Sequence, residues 1–174
     1  MKKAYKNIII ILIVVVCFIF ALYVNGTVGS LEYSIESDAR KWQGIDDNWE
    51  VSKSVLYPVG AMLFYDAESN ASIYSIYLNR RGFSFGYFFR SGGSRSEINE
   101  GICEFYFREY GTALISRNTE KIKLIETDDG QNINTISIDS EKPFAVVLPN
   151  NCGKVTVYDI NNNEVPISSV VVNE

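Results

Sequence analysis

The sequence contains no histidine, which removes the usual base from several kinds of active site. Serine and cysteine nucleophiles are generally activated by a neighbouring imidazole. The chain has only three cysteines, and two thiols without any histidine do not supply the four ligands of an ordinary zinc site. We therefore expect a protein that is not an enzyme and holds no metal and no cofactor.

An excess of positive charge is also lacking. Three of the 16 basic residues lie at the extreme N-terminus, which leaves 13 basic against 21 acidic residues, a formal charge of −8, for residues 25–174. Nucleic acid and anionic lipid demand a basic surface because their phosphates carry negative charge, so an acidic domain is a poor candidate for binding either. The charge balance predicts no nucleic-acid partner, although it allows a local basic patch.

Charged residues are absent from one long segment, residues 8–24, which reads IIIILIVVVCFIFALYV. A helix of this length is roughly 25 Å long, at the short edge of what spans a hydrocarbon core of about 30 Å. Lys2, Lys3 and Lys6 precede the segment and no basic residue follows soon after it. The positive-inside rule then predicts a cytoplasmic N-terminus, residues 1–7, and a single-pass membrane anchor.

A cleaved signal peptide is the alternative for residues 8–24. Signal peptides have a shorter apolar stretch and a small-residue cleavage site, and no A-x-A sequence follows here. Cleavage would release the rest of the chain as a secreted domain. Both interpretations predict residues 25–30 as a flexible tether and residues 31–174 as an extracytoplasmic domain.

The remainder of the chain alternates apolar and polar residues with a period of two, broken by Gly-, Asn- and Asp-rich turns. This pattern predicts an all-β domain, an antiparallel β-sandwich or partly open barrel of about 8–10 strands. Residues 144–148 are apolar throughout and predict a central strand. One short helix is expected over residues 36–43, because Gly44 suits a helix end.

The stretch GFSFG, residues 82–86, matches the G-x-S-x-G pattern of a serine-hydrolase nucleophile elbow. Such an elbow needs a helix directly after the serine. Instead, aromatic residues alternate through residues 83–90 and predict a continuous strand. Ser84 is therefore expected to be structural, Gly82 to end a turn, and Gly86 to mark a bulge or a close approach to bare backbone.

Four arginines flank this strand and the SGGS segment at residues 91–94. We expect the SGGS segment to be a loop between strands. The arginines, which lie close together in the sequence, are candidates for a local basic patch on an acidic domain: Arg80, Arg81, Arg90 and Arg95.

Aromatic residues are abundant, with 11 Tyr, 10 Phe and 2 Trp. Most are expected in the core, where aromatic pairs stabilise sheets. Trp42 and Trp49 lie in a less regular region and are candidates for an exposed platform that stacks on sugar rings.

Two cysteines and two acidic residues are candidates for further roles. Cys103 and Cys152 are candidates for a disulfide in an oxidising compartment. Glu104 and Asp128 are candidate acids of a small carboxylate-dependent hydrolase, which needs no histidine.

The expected function is a non-catalytic binding or accessory domain, anchored in the cell membrane and displayed at the cell envelope. Its partner would be another envelope protein or a surface polysaccharide. The alternatives are a carbohydrate- or cell-wall-binding domain and the small hydrolase.

Overall fold

The computed structural model describes residues 2–82 and 84–171. Within them the helices are α1 (Lys2–Val24), α2 (Ile35–Gln43) and α3 (Ser96–Glu100), with a 3₁₀ turn at Glu32–Ser34. The strands are β1 (Glu50–Leu56), β2 (Val59–Tyr65), β3 (Ser72–Asn79), β4 (Tyr87–Gly93), β5 (Ile102–Phe107), β6 (Gly111–Ser116), β7 (Ile122–Asp128), β8 (Ile133–Ser137), β9 (Phe144–Leu148), β10 (Lys154–Asp159) and β11 (Ile167–Val171).

The strands form three sheets. The first has the order β1-β2-β3-β4, the second β11-β5-β6-β9 and the third β10-β7-β8. The prediction of a β-rich domain after one apolar helix is confirmed. Eleven strands are present in the described residues, slightly more than expected, and the pairing of β11 with β5 is parallel, so the sheets are not all antiparallel as predicted.

Alternate residues of β2 face two different cores, which explains why the whole strand is apolar and buried. Ala61 and Leu63 join a cluster that also contains side chains of β5, β6 and β9. Met62 and Phe64 join a second cluster with Ile35 of α2. Because α2 covers the outer face of the first sheet, both faces of β2 are removed from water.

The second sheet is likewise covered on both faces. Ala113 and Ile115 of β6 face the first sheet, whereas Leu114 faces a third cluster built with side chains of β7 and β10. Burial of a leucine or isoleucine side chain such as Leu114 or Ile115 contributes about 1.5–3 kcal/mol to folding.

Strand β9 lies at the edge of the second sheet and is not the central strand that its sequence predicts. Its free edge faces β1. The hydroxyl groups of Ser52 and Ser54 accept hydrogen bonds from the backbone N–H groups of Ala145 (3.0 Å) and Val147 (3.1 Å). Inside a sheet, the carbonyl groups of a neighbouring strand would accept hydrogen bonds from these N–H groups. The two serine hydroxyls accept them instead, so β9 is buried although it is an edge strand.

Helix α2 matches the predicted helix closely. It ends where Gly44 adopts φ 63°, a left-handed conformation that glycine adopts without steric cost. Ile35 and Ala39 are one turn apart and fully buried, so the helix packs on the first sheet with that face.

A buried asparagine holds the segment between β6 and β7. Asn118 has φ 61°, and its Oδ1 accepts a hydrogen bond from the N–H of Ile122 at 2.6 Å. Its Nδ2 lies 3.0 Å from the carbonyl oxygens of both Asp139 and Lys142 and 3.3 Å from that of Ile122. One side chain therefore joins the starts of β7 and β9.

Replacement of this asparagine tests its role. We expect Asn118→Ala to lower the free energy of unfolding by about 3 kcal/mol, because buried backbone groups lose their partners and alanine is strained at positive φ. Urea unfolding of the full chain in detergent micelles, followed by circular dichroism, measures this. Asn134→Ala, at an exposed position on β8, is the control. Equal midpoints for the two variants would contradict the role.

Candidate functional site

The end of α1 is fastened by the first residues after it. The Asn25 side-chain amide donates to the carbonyl oxygen of Ala21 at 2.7 Å, and the Thr27 hydroxyl donates to that of Leu22 at 2.6 Å. These bonds satisfy carbonyl groups that the last turn of a helix leaves without partners.

The predicted flexible tether, residues 25–30, is paired with the segment that precedes and begins β4. Gly29 N–H donates to Phe85 O at 2.6 Å, and Phe85 N–H donates to Thr27 O at 2.7 Å. Ser30 and Tyr87 exchange a further pair of bonds of 2.8 and 2.7 Å. The prediction of a free tether was wrong, because these four backbone bonds fix it against the domain.

Glycine is required for this pairing. Gly86 has φ 89°, and a Cβ atom on it would lie 2.7 Å from the carbonyl oxygen of Ser30. The second glycine of GFSFG therefore permits a close approach of backbone, as the sequence suggested. The continuous strand predicted for residues 83–90 is wrong, since β4 begins only at Tyr87. The Ser84 hydroxyl donates to Arg80 O at 2.8 Å and stabilises the turn.

The SGGS segment is also not the loop that was expected. Ser91, Gly92 and Gly93 belong to β4 and pair with Tyr74–Ile76 of β3. A Cβ atom on Gly92 would lie 2.8 Å from the Gln43 amide oxygen and from the Phe89 ring, so glycine makes room for both side chains.

The four candidate arginines divide into separate environments. Arg81 forms an ion pair of 2.8 Å with Glu109 and lies over the Tyr110 ring. Arg95 lies at the other end of β4, where its guanidinium contacts the Tyr74 hydroxyl at 3.4 Å and Glu97 at 3.8 Å. Arg95 therefore does not belong to a common patch.

Arg80 and Arg90 share one environment. They line a hollow of about 160 Å³, which we call the β4 site; its lining residues are Leu78, Arg80, Phe88, Phe89, Arg90 and Tyr110. A bulge in β4 contributes to this arrangement: Ile76 pairs with Ser91 and Tyr77 with Phe89, so Arg90 is the extra residue between them. Bulges redirect side chains at sheet edges, and β4 is an edge strand.

The Arg80 guanidinium stacks on an aromatic ring. Its central carbon lies 4.4 Å from the centre of the Phe88 ring. None of the ion pairs formed within residues 2–82 and 84–171 involves Arg80. A stacked guanidinium keeps its hydrogen-bond donors at its edge, where they can bind the two oxygens of a carboxylate or phosphate.

A second hollow of about 550 Å³ adjoins the β4 site and reaches the end of α1. We call it the anchor-side hollow; its lining residues are Tyr23, Val28, Gly29, Ser30, Asp38, Trp42, Arg80, Tyr87, Phe88 and Phe89. Trp42 is 75% exposed on its rim. The tyrosine of the last turn of α1 and the arginine of the β4 site thus share one hollow.

The carboxylate that lines this hollow has a hydrogen-bond partner. Asp38 accepts a hydrogen bond of 2.7 Å from the Tyr77 hydroxyl, and burial together with this bond raises the pKa of Tyr77. Trp49, the other candidate platform, packs against the core beneath α2 and is no exposed platform.

The candidate disulfide is not formed. Cys103 and Cys152 are both free thiols and lie on opposite faces of the second sheet. Cys103 faces the core shared with the first sheet, whereas Cys152 packs against the core shared with the third. Burial raises the pKa of Cys103 to about 11, so this thiol is protonated at neutral pH.

The candidate acids Glu104 and Asp128 do not form a pair. Glu104 accepts a hydrogen bond from Ser169 of β11. Asp128 caps the turn after β7 by accepting from the N–H of Gly130 at 2.8 Å. Each carboxylate has a local structural partner.

A different group of acids lines a third hollow, the acidic hollow, of about 450 Å³; its acids are Glu97, Glu100, Glu120, Asp159 and Glu164. A general acid needs a raised pKa. Hydrogen bonds from Asn163 lower the pKa of Asp159, and a bond from its own backbone N–H lowers that of Glu97. In the part of the chain that the structure describes, no group of three such residues could hold a metal ion.

Sequence reasoning missed the aromatic half of the β4 site. Phe88 and Phe89 are consecutive, so in a strand their side chains point to opposite faces. Two consecutive aromatic residues in one strand indicate that both faces of that strand are apolar, and this was the clue that the sequence offered. The structure shows that β4 is an edge strand and that Phe89 is 43% exposed. Tyr110 comes from the β5–β6 turn, and no sequence pattern links it to β4.

Comparisons with models of known protein families, with curated proteins and with solved structures found no match for this chain.

Two glycine variants test the contact between the tether and β4. Gly86→Ala and Gly82→Ala both place alanine at positive φ, but only the Cβ at residue 86 would strike backbone. We expect hydrogen exchange of the Ser30 and Tyr87 amides to accelerate at least about tenfold in Gly86→Ala, which corresponds to about 1.4 kcal/mol of local stability. Gly82→Ala is expected to leave these amides protected. Equal exchange in both variants would show that the close approach is unimportant.

Proposed function

We propose that this protein is a single-pass membrane protein whose extracytoplasmic β-domain binds anionic groups without catalysis. Residues 5–24 of α1 form a candidate membrane span of 20 residues, about 30 Å of helix, whose uncharged part is residues 8–24, and this length suits the hydrocarbon core of a bilayer. The lysines at positions 2, 3 and 6 favour a cytoplasmic N-terminus. The side chains of the described span are exposed in the monomer, as expected for a helix that faces lipid.

The domain itself is proposed to be a β-sandwich extended by a third sheet. The supporting observation is the core cluster that takes side chains from β2 and β3 of one sheet and from β5, β6 and β9 of the other. The serine contacts between β1 and β9 close one side of this pair of sheets. Such a framework is rigid enough to hold a binding site at its open edge, β4.

The observation that carries the binding proposal is the guanidinium of Arg80. It is stacked on Phe88, has no ion-pair partner among the described residues and lines the same hollow as Arg90. The ligand class that follows is a phosphate or carboxylate group of an envelope component, either a protein or a surface polymer. Because the domain carries a formal charge of −8, this local site rather than the whole surface must supply the attraction.

A carbohydrate-binding role is the second candidate, and it rests on the exposed rings of Trp42 and Phe89 beside the same hollow. A hydrolase is not favoured. The acidic hollow contains carboxyl groups whose pKa values are lowered, whereas a general acid must hold its proton at neutral pH.

Topology is tested with reporters fused after residue 174. We expect a phosphatase that matures only outside the cytoplasm to be active, and a fluorescent protein that matures only inside to be dark, because the lysines hold the N-terminus inside. The fusion should resist extraction by alkaline carbonate and keep its N-terminal segment. A bright cytoplasmic fusion would contradict the proposed topology, and a soluble, shortened product would indicate a cleaved signal peptide.

Anion binding is tested on the full chain in a non-ionic detergent, which brings no anionic group of its own, by the NMR signals of the arginine side chains. We expect the Arg80 Nε–H signal to shift with inorganic phosphate and with glucuronate but not with glucose, since a guanidinium recognises paired anionic oxygens. In Arg80→Gln the remaining arginine signals should respond at least about fivefold more weakly, as expected for the loss of roughly 1 kcal/mol.

Arg108→Gln, at an exposed position outside the β4 site, is the matched control for anion binding. An equal response to glucose would favour the carbohydrate-binding alternative. No response to either anion would refute anion binding at this site.

A further inference from the structure

We propose that the anion bound at the β4 site is the lipid phosphate of the protein's own membrane, so that the domain rests on the bilayer with its anchor-side hollow in the headgroup layer. This inference depends on the proposed membrane anchoring and names the ligand of the proposed anion site.

The first argument is distance. Helix α1 ends at Val24, and Val28 already forms a bridge with Phe85. Four residues reach at most about 14 Å when fully extended. Tyr23, in the last turn of the apolar helix, lines the same hollow as Trp42 and Arg80. These two side chains are therefore held at the level where the helix leaves the hydrocarbon, and the headgroup layer is about 5–8 Å deep there.

The second argument is the kind of residue that is exposed at this end of the domain. Exposed apolar or aromatic side chains border the hollow at the end of α1: Tyr23, Val28, Trp42 and Phe89 line it, and Phe85 forms a bridge with Val28. Tryptophan and tyrosine are enriched at membrane–water interfaces, where one part of the ring system is apolar and another is polar.

The third argument is charge. A lipid phosphate offers two anionic oxygens to the planar guanidinium of Arg80, and its neighbouring acyl chains offer apolar contact to Phe88 and Phe89. The acidic hollow is lined by α3 and by residues around β10 and β11, and it shares no residue with the anchor-side hollow. The stacked Arg80 and the acidic hollow thus occupy different places on the domain, and only the acidic hollow would be repelled by a bilayer phosphate.

A soluble partner suits this face less well. The anchor-side hollow is continuous with the spanning helix, because Tyr23 and Val28 are part of its lining. In the proposed anchoring, any protein bound there would have to enter the narrow space between the domain and the leaflet, which the paired tether keeps short. Lipid headgroups occupy that position without any rearrangement.

The test is the depth of Trp42 in vesicles that contain the full chain. Trp42 is exposed, so Trp42→Phe should fold, and the difference in fluorescence between wild type and this variant isolates Trp42 from Trp49. We expect phospholipids brominated near the headgroup to quench this difference signal more strongly than phospholipids brominated at the bilayer centre. Arg80→Gln should lower the docked-to-undocked ratio about fivefold, since one interfacial arginine contributes roughly 1 kcal/mol.

Lys154→Gln, an exposed cation on β10, is the matched control and should leave the quenching unchanged. Vesicles of phosphate-free glycolipid form the second arm, in which we expect quenching to fall to the level of Arg80→Gln. Quenching that persists on glycolipid, or that is insensitive to Arg80→Gln, would overturn the role of phosphate. Unquenched Trp42 in a chain that floats with the vesicles would overturn the docking while leaving the anchor and the response of Arg80 to free phosphate intact.

Discussion

The position of the candidate site depends on one short piece of backbone pairing. The four hydrogen bonds between residues 27–30 and 85–87 join the helix to the edge of the first sheet, and Gly86 makes the approach of the two backbones sterically feasible. Since β4 carries Phe88, Phe89 and Arg90, whatever fixes β4 relative to α1 also fixes the β4 site. A free tether would leave that site at no fixed distance from the helix. The paired tether fixes this distance, and under the proposed membrane anchoring it would also fix the height of the site above the bilayer.

The rest of the fold explains why this edge is available. The second sheet is covered on both faces, and the first is covered by α2 on one face and by the second sheet on the other. At the side of β1, Ser52 and Ser54 close the gap to β9. Strand β4 is the opposite edge of the first sheet, so its side chains at the open side have no sheet to cover them. Exposed apolar side chains there are a consequence of the layer order, and the bulge at Arg90 adds charge to them.

Local patterns predicted much of the fold, and long-range pairing accounts for what they missed. The apolar helix, the helix ended by Gly44 and the alternation of the strands follow from neighbouring residues, so the sequence sufficed for them. The fixed tether, the edge position of Phe144–Leu148 and the separate faces of Cys103 and Cys152 depend on partners distant in sequence. Ser52 and Ser54, which accept hydrogen bonds from the free edge of β9, lie more than 90 residues before it. The sequence of β9 alone therefore does not reveal how its edge is covered. For the site, the sequence identified Arg80 and Arg90 as members of a basic patch. The contribution of Tyr110 and the separate position of Arg95 could be recognised only from the structure.

Net charge is a poor guide to how such a domain meets a membrane. A formal charge of −8 suggests repulsion from an anionic leaflet, yet salt at 0.15 M screens exposed charges beyond about 8 Å. In the proposed docked state only groups within that distance of the headgroups would matter, and near the anchor-side hollow these include Arg80, Asp38 and Glu32, whose charge acts on Tyr87. The Asp38 carboxylate already accepts a hydrogen bond from the Tyr77 hydroxyl. The Arg80 guanidinium, in contrast, has only the face of the Phe88 ring as its partner among the described residues. In the proposed docking, Arg80 would therefore supply the attraction for a phosphate, and the charge of Glu32 would oppose it.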